Sequence, residues 1–120
     1  IPFLEKIKLL LKKEGILFVM VPNAQSNTGA YWAYEDFTHH ALFTSGSIYY
    51  VLKWAGYDNI EFVDIDCLEG LNPLKRLLKS FFLKIYKLTI HFWNRVTSSS
   101  FHITSPEIFS YEIKVIARKP

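Results

Sequence analysis

The chain has little cysteine, few glycines and no acidic residue over one long interval. Its single cysteine, Cys67, excludes an intramolecular disulfide, is compatible with a reducing cytoplasm and is expected to be a small buried hydrophobe. No Gly-x-Gly turn of the kind that binds phosphate at a helix N-terminus can be drawn, because the five glycines are scattered over positions 15, 29, 46, 56 and 70. No secretory signal pattern is present either. We expect a cytoplasmic protein, and contact with a membrane surface stays an open alternative.

The acidic residues are missing between positions 70 and 106, and the six basic residues of this interval account for the net charge of +3 that the whole chain carries. Outside it, acidic residues outnumber basic ones. The basic residues of the interval are Lys75, Arg76, Lys79, Lys84, Lys87 and Arg95. A length of 120 residues otherwise suits one globular domain, covering 1–120, in which residues 70–106 form a helical insertion.

The first half of the chain predicts helix, strand, long connector and helix. Phe3, Ile7, Leu10 and Leu11 follow helical spacing, and Gly15 is a candidate to end that helix near Glu14. Residues 16–21 are apolar without alternation, which suits a strand covered on both faces, as in a parallel sheet. Thr44 or Ser45 can cap the next helix, which Gly56 ends.

The second half predicts a strand, a long helix and a last strand. Residues 59–66 are a strand, and apolar and polar side chains alternate over residues 109–116. Between them, residues 73–96 predict an amphipathic helix. Its apolar side consists of Leu74, Leu77, Leu78, Phe81, Ile85, Leu88 and Phe92.

The connector, residues 23–43, is long for a structureless loop in a compact domain. It mixes aromatic side chains with polar ones that can serve in chemistry, which favours a lid or a pocket wall over a solvated linker. Such a connector follows the carboxyl end of a strand, where open α/β folds bind their ligands. Its aromatic and ionisable residues are Tyr31, Trp32, Tyr34, Glu35, Asp36, Phe37, His39 and His40.

These elements together resemble the C-terminal half of a class I S-adenosylmethionine-dependent methyltransferase of the small-molecule or polysaccharide-linked branch. The resemblance rests on a strand ending in Pro22-Asn23, an Asp-x-Thr-His element at 36–39, a Phe43-Thr44 helix start and the Ala-Gly-Tyr that closes the helix at 55–57. It implies a truncated Rossmann-like fold with flanking helices and the helical insertion. Its three-stranded mixed sheet would place the late strand antiparallel between the other two, with residues 16–21 and 59–66 at the edges.

The resemblance also implies roles for particular residues. His39 is the candidate base that removes a proton from the acceptor, and Asp36 is the candidate that orients it or contacts the substrate. Asn23, Tyr34 and Phe43 are candidate substrate-binding residues. Both Asp36 and His39 have a structural alternative, in which they fasten the connector through hydrogen bonds to the backbone.

The family binds S-adenosylmethionine through a glycine-rich turn that this sequence lacks, and we expect that part of the parent protein upstream of Ile1. The chain alone is therefore expected to bind no cofactor and to be inactive, whereas the parent would methylate O or N of a small molecule or saccharide. We also expect a homo-oligomer through the exposed strand 16–21, because its outer edge would lack a partner. No metal site is predicted, since His91, His102 and Cys67 lack zinc-ligand spacing.

A different class of function is an interaction module that uses the basic helix 73–96. Lysines beside a run of Leu, Phe and Ile suit a helix lying on an anionic membrane surface or on a protein partner. The alternative is that the helix packs its apolar side on its own sheet and leaves a solvated basic face. A nucleic acid is not favoured, since the basic residues lie outside the helix at 47–55 that would enter a groove.

Overall fold

A computed structural model of the chain describes residues 1–35, 38, 40–100 and 105–120. Within these ranges the chain forms helices and strands, so the predicted α/β class is confirmed. In chain order the elements are α1 (Pro2–Leu10), β1 (Ile16–Pro22), α2 (Gly29–Glu35), α3 (Ser45–Trp54), β2 (Asp58–Val63), α4 (Pro73–Val96) and β3 (Glu112–Arg118).

The strands form one sheet in the order β1-β3-β2, with the last strand in the middle as predicted. Val115 of β3 pairs with Val19 of β1 on one side and with Phe62 of β2 on the other, and both pairings are antiparallel. The prediction of a mixed sheet is therefore wrong for the described strands. β1 and β2 run in the same direction, but β3 lies between them, so they form no parallel pair.

Within the described residues, one face of the sheet is covered by a helix and the other is not. Ile113, Val115 and Ala117 alternate along β3 and are fully buried against α3, as the alternating pattern predicted for the first two. On β1 the opposite side chains, Phe18 and Met20, are exposed. The expectation that residues 16–21 are covered on both faces is wrong, because β1 is an edge strand whose outward face carries no packed helix within the described part of the chain.

Local sequence signals predict the start and the end of α3 correctly, but not the end of α1. Thr44 caps α3 through a capping box with Ser47, and Gly56, with φ of +80°, takes the left-handed conformation that follows the helix, as predicted. By contrast, α1 ends at Leu10 and not near Glu14, because Leu11 already has extended backbone angles.

The long helix α4 has the predicted bounds. It begins after Asn72, whose Oδ1 accepts a hydrogen bond from the N–H of Lys75 at 2.9 Å, and Pro73 occupies its first turn. No residue of α4 is buried, and its apolar side faces solvent. The alternative that this side packs on the chain's own sheet is therefore wrong. None of the described helices is long and apolar enough to cross a membrane.

Candidate functional site

The carboxyl end of β1 is built around Asn23, whose side chain is fully buried. Its Nδ2 donates to the carbonyl oxygens of Ile108 at 2.7 Å and Ser110 at 2.8 Å, and its Oδ1 accepts from the N–H of Gln25 at 3.0 Å. The amide thus joins the end of β1 to the segment that leads into β3. All of these contacts are with the protein itself, so Asn23 positions the surrounding backbone, and a contact with substrate stays a prediction.

The two other predicted substrate-binding residues occupy different environments. Phe43 is half-buried against the core, and its carbonyl oxygen accepts from the N–H of Ala24 at 2.9 Å, which brings the far end of the connector back to β1. Tyr34 lies in the last turn of α2 with 83% of its surface exposed. The structure therefore joins Asn23 and Phe43 through adjacent backbone, whereas Tyr34 lies on the surface of a separate helix.

The predicted catalytic residues Asp36 and His39 lie outside the described residues. Their roles as orienting group and base stay predictions. The part of the connector that precedes Asp36 forms α2. Trp32 of that helix lines a cavity of about 230 Å³ at the end of β1. Tyr111 also lines this small cavity.

A larger cavity, of about 590 Å³, lies under α4 and is called here the α4 cavity. Its volume is in the range of small-molecule sites, which usually combine apolar walls with a few polar groups. The walls come from α4, from the turn after β2 and from the segment before β3. The lining residues are Asn27, Asp66, Cys67, Lys79, Phe82, Leu83, Tyr86, Phe109, Ser110 and Tyr111.

Polar contacts hold α4 over this cavity. The Nζ of Lys79 donates to the carbonyl oxygen of Cys67 at 2.7 Å, and the Nζ of Lys87 pairs with the Asp66 carboxylate at 2.8 Å. Tyr86 donates its hydroxyl to Asn27 at 3.1 Å, and its ring packs edge-to-face on Phe109. These contacts come from one side of α4, so that side of the helix is fixed towards the body of the protein.

The turn after β2, which carries Asp66 and Cys67 to the cavity, is organised by Asp64. The Asp64 carboxylate accepts from the N–H groups of Leu68 at 2.7 Å and Glu69 at 3.1 Å, and it pairs with Lys114 of β3 at 2.7 Å. Burial favours the neutral carboxyl, but these hydrogen bonds outweigh it and lower the pKa of Asp64. The hydrogen bond between the Lys114 ammonium group and the Asp64 carboxylate raises the pKa of Lys114. Both groups are therefore charged at neutral pH.

Tyr111 borders both cavities and is the side chain best placed to connect them. Its hydroxyl forms a hydrogen bond with the Glu112 carboxylate, and this bond raises the pKa of Tyr111. The phenol consequently stays protonated at physiological pH and acts as a hydrogen-bonding group, not as a base.

Sequence reasoning missed the residues of the α4 cavity. The sequence pattern identifies Lys79 only as one charge of a basic helix, and Tyr111 only as one position of an alternating strand. The available signal was the spacing of Lys79, Leu83, Tyr86 and Ile90 by three or four, which marks a second, partly buried side of the helix. That side is too mixed in polarity to be distinguished from a solvated face without the structure.

The lining of the α4 cavity suits binding and orientation of an amphiphilic molecule. Phe82 and Phe109 offer aromatic faces, whereas Lys79 and Tyr111 offer polar groups. Among the residues that the structure describes, no group of three His, Cys, Asp or Glu side chains could hold a metal ion. No protein-family profile, curated protein or solved structure matches the chain.

Proposed function

We propose that the chain is the acceptor-binding half of a class I S-adenosylmethionine-dependent methyltransferase that acts on O or N of a small molecule or saccharide. The observation that carries the proposal is the strand order β1-β3-β2 with β3 antiparallel to both neighbours. The sequence resemblance required this order, which joins the last strand to two strands distant from it along the chain. The truncated Rossmann-like fold belongs to this same proposal.

The residues of this chain do not fit the cofactor itself. The family binds S-adenosylmethionine with a glycine-rich turn that opens onto a helix N-terminus, but α3 and α4 are preceded by Thr44 and Asn72, whose side chains each accept a hydrogen bond from a backbone N–H of the first turn. The cofactor is therefore assigned to another part of the parent protein.

This chain would contribute the acceptor side of the reaction. Methyl transfer needs an acceptor held in line and relieved of its proton, so positioning supplies much of the catalysis. The α4 cavity offers the volume and the polar groups for the acceptor, since Lys79 and Tyr111 line it. His39 is the proposed base, and Asp36 is proposed to orient it.

The first test is the coding sequence directly upstream of Ile1. A strand, glycine-rich turn and helix encoded there supports the proposal, and an upstream sequence without them contradicts it. The isolated chain should show no micromolar binding of S-adenosylmethionine by calorimetry. Micromolar binding would contradict the assignment of the cofactor to another part of the protein.

The second test addresses the base in the parent protein. His39→Ala should abolish transfer of labelled methyl groups while leaving the melting temperature unchanged, and the neighbouring substitution His40→Ala is the matched control. Equal activity in the two variants would refute the role of His39. A loss of activity accompanied by a lower melting temperature would assign His39 to fastening the connector.

A further inference from the structure

Helix α4 turns its apolar side away from the rest of the protein. Its outer stripe is defined as Leu74, Leu77, Leu78, Phe81, Ile85, Leu88 and Phe92. These side chains are 47% to 70% exposed, and their spacing by three or four places them on one side of the helix. Seven neighbouring large apolar side chains form a continuous patch, and such patches on soluble proteins mark interaction sites.

The orientation of the helix is fixed by its opposite side. Lys79 and Lys87 reach the turn after β2 through the carbonyl oxygen of Cys67 and the carboxylate of Asp66, and His91 contacts Glu107. Turning the outer stripe inward would break all three contacts. The stripe therefore stays on the surface for as long as these contacts hold.

The charges that border the stripe have one sign. Lys84 follows Phe81 by three positions and precedes Leu88 by four, so it lies beside the stripe, and Arg95 follows Phe92 by three. Both side chains are exposed. Lys75 is exposed at the other end of the helix, and no acidic residue occurs between 70 and 106. The surface around the stripe is thus positive along the length of the helix.

We propose that the outer stripe docks on the surface of a lipid bilayer that contains anionic headgroups, with α4 lying in the plane of the interface. The apolar side chains would enter the boundary between headgroups and acyl chains, and Lys84 and Arg95 would extend to the phosphates. The exposed ring of Trp93 on the same helix suits this boundary, where tryptophan is enriched. The charge, all of one sign, favours a bilayer over a protein partner, whose surface would carry both signs. This inference does not depend on the proposed methyltransferase activity.

The test is co-sedimentation of the 120-residue chain with vesicles of phosphatidylcholine alone and of phosphatidylcholine mixed with phosphatidylglycerol. We expect pelleting with the mixed vesicles, little with the neutral ones, and weaker binding as salt is raised. Absence of pelleting with the anionic vesicles, or equal pelleting with both kinds, would overturn the proposal.

Two pairs of variants locate the surface. Leu88→Glu in the stripe should lower the partition coefficient by at least about 10-fold, whereas Leu9→Glu on α1 makes the same change at a site that is 80% exposed and should have little effect. Lys84→Gln with Arg95→Gln should lower it by roughly 10- to 30-fold. The matched control, Lys6→Gln with Lys13→Gln, removes the same charge from exposed sites outside α4.

Each outcome of this comparison supports or contradicts the assignment. Equal losses in the stripe variants and their controls would overturn it in favour of general electrostatic attraction. The alternative occupant of the stripe is a second copy of the chain, and light scattering tests for it by measuring the oligomeric state. An oligomer that becomes a monomer in Leu88→Glu, without vesicle binding by the wild type, would overturn the proposal in favour of self-association. Circular dichroism should show the wild-type helix content in all four variants, since every substituted side chain is exposed.

Discussion

Replacing Asn23 should cost more stability than replacing any exposed asparagine, because its amide holds two segments together. Asn23→Ala removes two donated hydrogen bonds, to Ile108 and Ser110, and one accepted from Gln25. Three bonds at about 1 kcal/mol each give roughly 3 kcal/mol, and carbonyl oxygens left buried without a partner make this a lower bound for the expected loss. That is a large fraction of the 5–15 kcal/mol that typically stabilises a domain.

The isosteric variant Asn23→Asp sharpens this prediction. It keeps the shape of the side chain but places a carboxylate oxygen where Nδ2 now lies 2.7 and 2.8 Å from two carbonyl oxygens. The charged form should therefore be less stable than Asn23→Ala at neutral pH. The folded state should bind the proton more tightly than the unfolded state, so the stability of Asn23→Asp relative to wild type should rise as the pH falls.

Urea unfolding followed by intrinsic fluorescence measures these differences in free energy. Asn27→Ala is the matched control, because it truncates the same side chain at an exposed site where, among the described residues, the hydrogen bond from Tyr86 is the one lost. The control should cost no more than about 1 kcal/mol. The reasoning is refuted if Asn23→Ala costs no more than Asn27→Ala, or if Asn23→Asp matches the wild type at pH 7.

Three further predictions concern the fold. Because the pKa of Asp64 is lowered from its ordinary value of 3.8, its carboxylate stabilises the folded state at pH values above 3.8. Because the pKa of Lys114 is raised from 10.5, its ammonium group stabilises the folded state at pH values below 10.5. The urea midpoint should therefore fall as the pH leaves this window on either side. Asp64→Asn should show less of the acid loss, and an unchanged acid slope would contradict the ion pair. Thr44→Ala should cost about 1 kcal/mol in urea unfolding by removing the cap of α3, and no measurable loss would contradict the capping box. Phe18→Lys on the open edge strand β1 should convert an oligomer to a monomer in light scattering, and a monomeric wild type would refute self-association there.

Much of the local structure could be predicted because its signals are local. The pair Asn72-Pro73 supplies both a cap and a first-turn proline, and no helix breaker follows before Val96, so the bounds of α4 were correct. The candidate site was less predictable. The walls of the α4 cavity come from residues far apart along the chain, such as Lys79 and Ser110, and no sequence pattern links them.

Two errors have a shared cause. The apolar run at 16–21 predicts a strand covered on both faces, and the apolar side of α4 is compatible with packing on the sheet. The hydrophobicity of a side chain shows that its transfer out of water is favourable, but it does not show which neighbour covers it. Phe18 and Phe81 are both exposed in the described structure.

The sequence by itself determined the start of α3 and both bounds of α4, because caps, glycines and periodicity act within a few residues. Only the tertiary structure decided that the outward face of β1 stays uncovered within the described residues, and that the apolar side of α4 faces outward. Both depend on contacts between distant residues, such as the pair of Lys87 with Asp66 and the bonds of Asn23 to Ile108 and Ser110. Their geometry, and not the polarity of any one segment, determines which surface meets solvent.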